Sequence, residues 1–151
     1  MMGREEKQEN DLFYTCSLID YIARKTKNKR SDVIDYLGKN TIEKISNFAD
    51  IYHSDNIDNI SEEFIEKAHI TDGNFDNIKN CKYNIPSYWD IGKVYKRLIL
   101  GISKEKNLSI IDSIFEAYHS FLSDKIDDYN SSFYYEIPQN ILNAYLEGKI
   151  E

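Results

Sequence analysis

Apolar residues recur at three- and four-residue spacing along most of the chain, which is the period of an amphipathic helix. The clearest run lies within residues 85–102, where the apolar positions are Ile91, Val94, Tyr95, Leu98, Ile99 and Ile102. Just before this run, the Ser87 side chain can cap a new helix, and Asp90 lies near the positive end of its dipole. The pattern therefore predicts a helix that starts near Ser87, around which we expect the other elements to pack.

The same spacing predicts further helices before and after this central one. They cover residues 10–26, 32–37, 41–52, 61–69, 109–129 and 138–147, with one or two helical turns at 75–82. Gly38 suits the left-handed position that ends the short second helix, and Pro138 suits the first turn of the last one. Residues 1–9 are polar and charged, and we expect them to form a frayed lead-in.

Composition agrees with a helical protein. The chain of 151 residues has two prolines and six glycines, so few positions interrupt a helix. Its 12 tyrosines and many isoleucines could favour strands, but the spacing of the apolar residues is helical. We therefore predict an all-α fold, a compact single-domain bundle of about six to eight helices spanning residues 1–151.

Charge and apolar content limit the partners and the location. The formal net charge of −7 disfavours nonspecific binding to nucleic acid and suits a basic protein partner. No apolar run approaches the roughly eighteen residues of a membrane span, and the charged start of the chain carries no apolar signal segment. Cys16 and Cys81 lie far apart in the sequence, so we expect two reduced thiols. These features predict a cytoplasmic protein.

Positive charge is concentrated at the end of the first predicted helix. The basic residues there are Arg24, Lys25, Lys27, Lys29 and Arg30. These cations could complement the helix dipole and solvate a turn, or they could form a basic patch for phosphate or an acidic partner. Helix-turn-helix DNA readers share this layout, which consists of a helix, a basic turn, a short helix and another helix. However, the short helix carries Asp32 and Asp35 and no basic or amide side chain, which would place carboxylates against phosphate.

Residues that could support catalysis or metal binding are scattered along the chain. The three histidines are His53, His69 and His119, and no two of them have the four-residue spacing of a zinc-binding helix. Cys16 falls on an apolar helical face, where an inert buried thiol is common. Three carboxylates beside Lys125 are interpreted as a solvated surface; they are Asp124, Asp127 and Asp128. We therefore expect no catalytic site, no metal site and no cofactor, with a small enzyme of unrecognised site as a remaining alternative.

Aromatic residues are the main candidates for a binding surface. They are Tyr83, Tyr88, Trp89, Tyr95 and the run Phe133, Tyr134 and Tyr135. One interpretation places these rings in the core or over it as lids. The other makes some of them a docking surface, because Tyr and Trp make large contacts at low entropy cost and dominate interface hot spots.

Several short features mark the first half of the chain. They are Ile19-Asp20-Tyr21, the turn at 28–33, Ile45, Tyr52-His53-Ser54, and residues 60–65 with Glu62 and Glu63. In these features the chain resembles a family of small helical proteins of unknown function, which are encoded in bacteria beside ADP-ribosyltransferase-like toxins and suspected to be antitoxins. The likeness covers about residues 12–65. The rest of the chain, including the Trp89 segment, lies outside it.

The resemblance implies a non-catalytic partner that restrains a toxin, and it adds Tyr52 and His53 to the docking candidates. The predicted partner-binding residues are therefore Tyr52, His53, Tyr88, Trp89, Tyr95, Tyr134 and Tyr135. An antitoxin-like module that holds an ADP-ribosyltransferase-like toxin inactive is the most concrete form of this hypothesis. The alternative is a helix-turn-helix regulator that uses the basic residues of the turn at 24–30.

Overall fold

The computed structural model describes residues 3–150, and this part of the chain is helical without strands. Its eight α-helices are α1 (Arg4–Thr26), α2 (Arg30–Asn47), α3 (Ala49–His53), α4 (Ile57–Lys67), α5 (Tyr88–Lys106), α6 (Ile110–His119), α7 (Phe121–Ile126) and α8 (Pro138–Glu147). A single turn of 3₁₀ helix at Phe133–Tyr135 precedes α8. The predicted fold class is confirmed.

Helix α5 has the central position that its sequence predicts. Its start is a capping box, in which the Asp90 backbone N–H donates to Ser87 Oγ at 3.0 Å and the Ser87 N–H donates to Asp90 Oδ2 at 3.1 Å. The helix packs along α1 and also contacts α6 and α8. The α1–α5 contact is close at Gly92, where a Cβ atom would lie 2.3 Å from Ser17 Oγ. The absence of a side chain at Gly92 therefore sets the separation of the two central helices.

The core lies between α1, α2, α5 and α6, and isoleucine is its most frequent residue. Fully buried isoleucines are Ile19, Ile22, Ile34, Ile42, Ile45, Ile91, Ile99, Ile102 and Ile114. Most of them occupy the periodic positions read from the sequence, because the apolar stripe of each helix has to be removed from water. None of the helices within residues 3–150 combines the length and apolar character needed to cross a membrane.

Helix α1 begins earlier than predicted. It starts at Arg4 rather than near Asn10, so most of the expected frayed lead-in at 1–9 is helical, and residues 1–2 lie outside the described range. The reason is local: residues 4–9 are strong helix formers, and Glu5 and Glu6 lie in the first turn, where negative charge complements the helix dipole. The prediction of a frayed lead-in is therefore wrong for residues 4–9, whose polar side chains favour a helix.

The other differences follow from side chains that compete for backbone hydrogen bonds. The predicted helix at 109–129 is divided at Ser120, whose backbone is extended and whose hydroxyl donates to the Ala117 carbonyl at 2.7 Å. Helix α4 begins at Ile57 because Asn56 caps it, accepting from the Asp58 N–H at 2.7 Å. Residues 75–82 form turns rather than helix. The predicted break at Gly38 is confirmed, with φ 79° and ψ 164° inside α2.

Candidate protein-binding surface

Three of the predicted docking residues come together at the start of α5. Trp89 lies 5.0 Å from Tyr88, 5.7 Å from His53 and 5.4 Å from Phe13, measured between ring centroids. Tyr21 makes an edge contact with Tyr88 at 5.0 Å. His53 is exposed and the other four rings are half-buried, so each offers part of its surface to solvent. We call these five residues the aromatic surface.

Three helices position these rings. Phe13 and Tyr21 lie two turns apart on α1, His53 is the last residue of α3, and Tyr88 and Trp89 form the first turn of α5. The capping box of α5 fixes the direction in which the chain enters the helix, and the rings of that turn therefore lie against α1.

Acidic side chains border the aromatic surface. The Tyr21 hydroxyl donates to Asp58 Oδ1 at 2.7 Å, and Lys25 Nζ donates to the same oxygen at 2.7 Å. Lys25 also forms an ion pair with Glu62. These hydrogen bonds lower the pKa of Asp58, with Lys25 as the larger cause, so that the carboxylate keeps its charge. The edge of the aromatic surface therefore carries the carboxylates of Asp58 and Glu62, where α4 packs against α1.

Tyr52 is next to His53 in α3, but its ring packs on Phe64 rather than on the rings of the aromatic surface. The two rings meet edge to face at 5.4 Å, and Phe64 is fully buried. Tyr52 is half-buried and neighbours His53 in α3. Its ring therefore covers Phe64 of α4.

Tyr95 is a core residue, and its prediction as a docking residue is wrong. Its ring stacks on Tyr118 at 4.1 Å, and its side chain has no exposed area. Its hydroxyl donates to Asp127 Oδ1 at 2.8 Å and lies 2.8 Å from Ser123 Oγ. The position of Tyr95 on the apolar stripe of α5 correctly indicates its burial, whereas its residue type suggested a docking role.

Tyr134 and Tyr135 line a separate groove of about 580 Å³, together with Tyr83, Asn84 and Tyr129. Tyr134 is 8% exposed and contacts Tyr129, whereas Tyr135 is 76% exposed. Burial raises the pKa of Tyr134 to about 12, so its hydroxyl stays protonated. Only Tyr135 of this pair offers a large free ring for contact with a partner.

The basic turn does not form an open patch. Arg30 is fully buried, and its Nε donates to Asp20 Oδ1 at 2.6 Å. Arg24 Nε donates to the other oxygen of Asp20 at 2.7 Å, and both guanidinium groups reach the Tyr129 hydroxyl. Lys29 pairs with Asp124 at 3.6 Å, and Lys25 is paired as described above. Of the five predicted residues, Arg24 and Arg30 are structural, because buried carboxylates hold them.

Sequence reasoning missed the two acidic residues of this buried network. Asp20 is 1% exposed, and Asp127 is 3% exposed and not part of a solvated surface as predicted. The signal for Asp20 was available, since it lies between Cys16 and Ala23 on the buried stripe of α1. No such signal exists for Asp127, because it follows the end of α7 and is buried by contacts with α5.

Two observations concern residues that could perform chemistry. Burial raises the pKa of the Cys16 thiol to about 12, which removes the thiolate that a nucleophile needs. Within residues 3–150 the acidic, histidine and cysteine side chains form no cluster arranged to hold a metal ion.

Comparison of the chain with protein-family models, with curated proteins and with solved structures gives no match.

Proposed function

We propose that this chain is a non-catalytic protein-binding module, antitoxin-like in action, that restrains a partner toxin by covering its active site. The observation that carries the proposal is the aromatic surface, in which Tyr88, Trp89 and His53 gather beside Phe13 and Tyr21. Clustered Tyr and Trp side chains that are half-buried in the free protein are already ordered, so binding costs little side-chain entropy.

The location of the aromatic surface supports this proposal. Phe13, Tyr21 and His53 belong to the segment 12–65 that resembles the antitoxin-like family, and the fold places the start of α5 against them. The residues within and outside the resemblance thus form one continuous patch. An ADP-ribosyltransferase-like toxin is the candidate partner that follows from the resemblance.

Charge supports a basic partner. The chain has a net charge of −7, and Asp58 and Glu62 border the aromatic surface. Electrostatic complementarity of this kind raises the association rate and excludes like-charged partners. Substrate sites for nucleotides carry positive charge, and an acidic module placed over such a site would block it.

The helix-turn-helix alternative has less support. A DNA reader needs cations that are free to contact phosphate. Arg30 is fully buried, Arg24 is bound to Asp20, and Lys25 is bound to two carboxylates. No geometric feature of α2 favours this alternative.

The proposal is tested by affinity capture from the native cell at moderate salt, with the wild-type chain and with Tyr88→Ala and Trp89→Ala. We expect a stoichiometric protein partner, with affinity lowered by about 30-fold or more in each variant, as for a hot spot of about 2 kcal/mol. The control is Phe121→Ala, which removes a 44% exposed aromatic ring of α7 outside both the aromatic surface and the groove that Tyr135 lines.

The captured partner is then assayed for ADP-ribosyl transfer and for toxicity on expression. Equimolar wild-type chain should suppress both, and the Trp89→Ala chain should not. Salt-sensitive retention on DNA without a protein partner would contradict the proposal and favour the regulator. Melting temperatures of all variants separate loss of binding from loss of folding.

A further inference from the structure

The groove of about 580 Å³ described above lies between two loops, one at 83–84 before α5 and one at 129–135 before α8. Four tyrosines line it, and we call it the tyrosine groove; they are Tyr83, Tyr129, Tyr134 and Tyr135. Tyr129 and Tyr134 are buried and form its floor, whereas Tyr83 and Tyr135 are exposed on its rim. Its volume lies in the range of about 300–1,000 Å³ that is usual for ligand sites.

The two walls of the tyrosine groove are tied together by one side chain. Asn130 Nδ2 donates to the Asn80 carbonyl at 2.9 Å, and Asn130 Oδ1 accepts from the Lys82 backbone N–H at 2.8 Å. The Tyr135 ring is held as well, since its centroid lies 4.4 Å from that of Tyr134. The groove is therefore formed before a ligand arrives, and binding has to order few side chains.

The lining of the tyrosine groove is uncharged. None of the described residues that line it carries a charge, although 30% of the residues of the chain are charged, and the residues other than tyrosine are Asn and Ser. The Tyr83 hydroxyl, the Asn84 side-chain amide and the Ser132 hydroxyl make no hydrogen bond within residues 3–150. The groove thus offers aromatic rings beside free hydrogen-bond donors, which suits a neutral ligand rich in acceptors.

Among the ways in which proteins recognise peptides, one fits this lining. Addition of a strand needs an exposed sheet edge, and the described part of the chain has no strand. Phosphorylated or acidic motifs need an arginine cluster, and an amphipathic helix needs an apolar groove. A polyproline II segment instead docks on aromatic rings, and its backbone carbonyls stay free to accept hydrogen bonds, because this helix has no internal ones and proline has no N–H.

We propose that the tyrosine groove binds a proline-rich segment of a protein partner in the polyproline II conformation. The prolyl rings pack on the rim rings of Tyr83 and Tyr135, and the peptide carbonyls accept hydrogen bonds from the Asn84 amide and the Ser132 hydroxyl. The inference goes beyond the proposed function, because this site is separate from the aromatic surface and takes a neutral, extended segment.

The test is an NMR titration of the ¹⁵N-labelled full chain with acetyl-decaproline amide, which forms a polyproline II helix in water. The matched ligand is the same peptide built from D-proline, which has the same composition and the mirror-image helix. We expect saturable shifts of the backbone amide signals at 82–85 and 130–136. The D-peptide should bind about tenfold or more weakly, because its rings and carbonyls cannot meet the tyrosines and the donors together.

Variants of the groove make the test specific. Tyr83→Ala and Tyr135→Ala should each weaken binding of the L-peptide by about tenfold or more, because a ring that packs on proline is lost. Asn84→Ala should weaken it by about three- to tenfold, as for one lost neutral hydrogen bond. The control Phe121→Ala removes an exposed ring of α7 outside the groove and should have no effect.

Equal binding of the two peptides, or shifts confined to amides outside the two loops, would overturn the inference. Maltohexaose is titrated in parallel, because neutral sugars also pack on tyrosine rings, and shifts of the groove signals with this sugar but not with decaproline would overturn it too. Far-ultraviolet circular dichroism verifies that each variant is folded, and Asn84→Ala keeps the test decisive if a tyrosine variant unfolds.

The outcome is distinguishable from that of the proposed function. Decaproline binding in the groove without any captured protein would support the inference and contradict the proposed function. Capture of a toxin that depends on Trp89, with no response of the groove to decaproline, would do the reverse.

Discussion

Raising the pH from about 4 to about 8 is expected to destabilise this fold through one carboxyl group, Asp127. The side chain is fully enclosed, and burial raises its pKa from the ordinary value of 3.8 to about 7. The nearby Asp20 carboxylate acts in the same direction, whereas Arg30 and the hydrogen bond donated by Tyr95 favour the charged form. Desolvation outweighs these favourable contacts.

The sign and size of the effect follow from linkage. Between pH 3.8 and about 7 the folded chain holds a proton that the unfolded chain has released, so the free energy of unfolding falls as the pH rises. At about 1.4 kcal/mol per pH unit, the full difference is roughly 4 kcal/mol. The lowered pKa values of the exposed Asp58 and Asp112 act in the opposite sense, but only below about pH 4.

The assay is urea unfolding followed by Trp89 fluorescence at about pH 4, 5, 6, 7 and 8, for the wild type and Asp127→Asn. Asparagine keeps an acceptor for the Tyr95 hydroxyl and has no proton to lose. We expect the two proteins to differ little at the lowest pH, and the variant to be more stable by up to roughly 4 kcal/mol at the highest. The control is Asp124→Asn, three residues earlier in α7, whose side chain is 76% exposed.

Parallel curves for the wild type and Asp127→Asn would refute this reasoning. They would mean that the Asp127 carboxyl is charged in the folded state throughout, and hence that water or Arg30 compensates its burial. A wild-type chain that gains stability from pH 5 to pH 7, relative to the variant, would refute it more strongly. Equal denaturant slopes in all proteins are required for the comparison.

Three further predictions are each measured by urea unfolding, two at residues buried between helices and one at the break in α2. Arg30→Met should cost about 3–5 kcal/mol, because it leaves the Asp20 carboxylate with one partner fewer in the core. Gly92→Ala should cost about 1–3 kcal/mol, since the new methyl group would lie 2.9 Å from the Ser17 backbone nitrogen and force α1 and α5 apart. Gly38→Ala should cost about 1–3 kcal/mol, because φ 79° with ψ 164° suits glycine alone.

Matched control variants show whether substitutions at nearby positions destabilise the protein in the same way. Lys27→Met removes an exposed positive charge of the same turn and should change the free energy of unfolding by less than about 0.5 kcal/mol. Gly101→Ala adds the same methyl group to α5 where the nearest atoms are the flexible tip of Leu142. If Gly101→Ala lowers the free energy of unfolding as much as Gly92→Ala, the close approach of α5 to the α1 backbone at Ser17 is not the cause of the destabilisation.

Local signals in the sequence determined the helical class and the central element. The stripe from Ile91 to Ile102 and the Ser87–Asp90 capping box act over a few residues, so they could be read without knowing the fold. The break at Gly38 is local for the same reason. At Ser120 two local signals compete, the helical spacing of the apolar residues and the hydroxyl that bonds to the Ala117 carbonyl, and the choice between a continuous helix and a bend cannot be made from them.

Tertiary structure decided which charged and aromatic side chains are buried and which meet. Asp127 follows a short helix and would be solvated by itself, but α5 places the Tyr95 hydroxyl against it. Likewise, His53 and Trp89 are distant in the chain and meet only because α3 and α5 both pack on α1. Periodicity describes one helix at a time, whereas burial and contact between distant residues depend on how the helices pack.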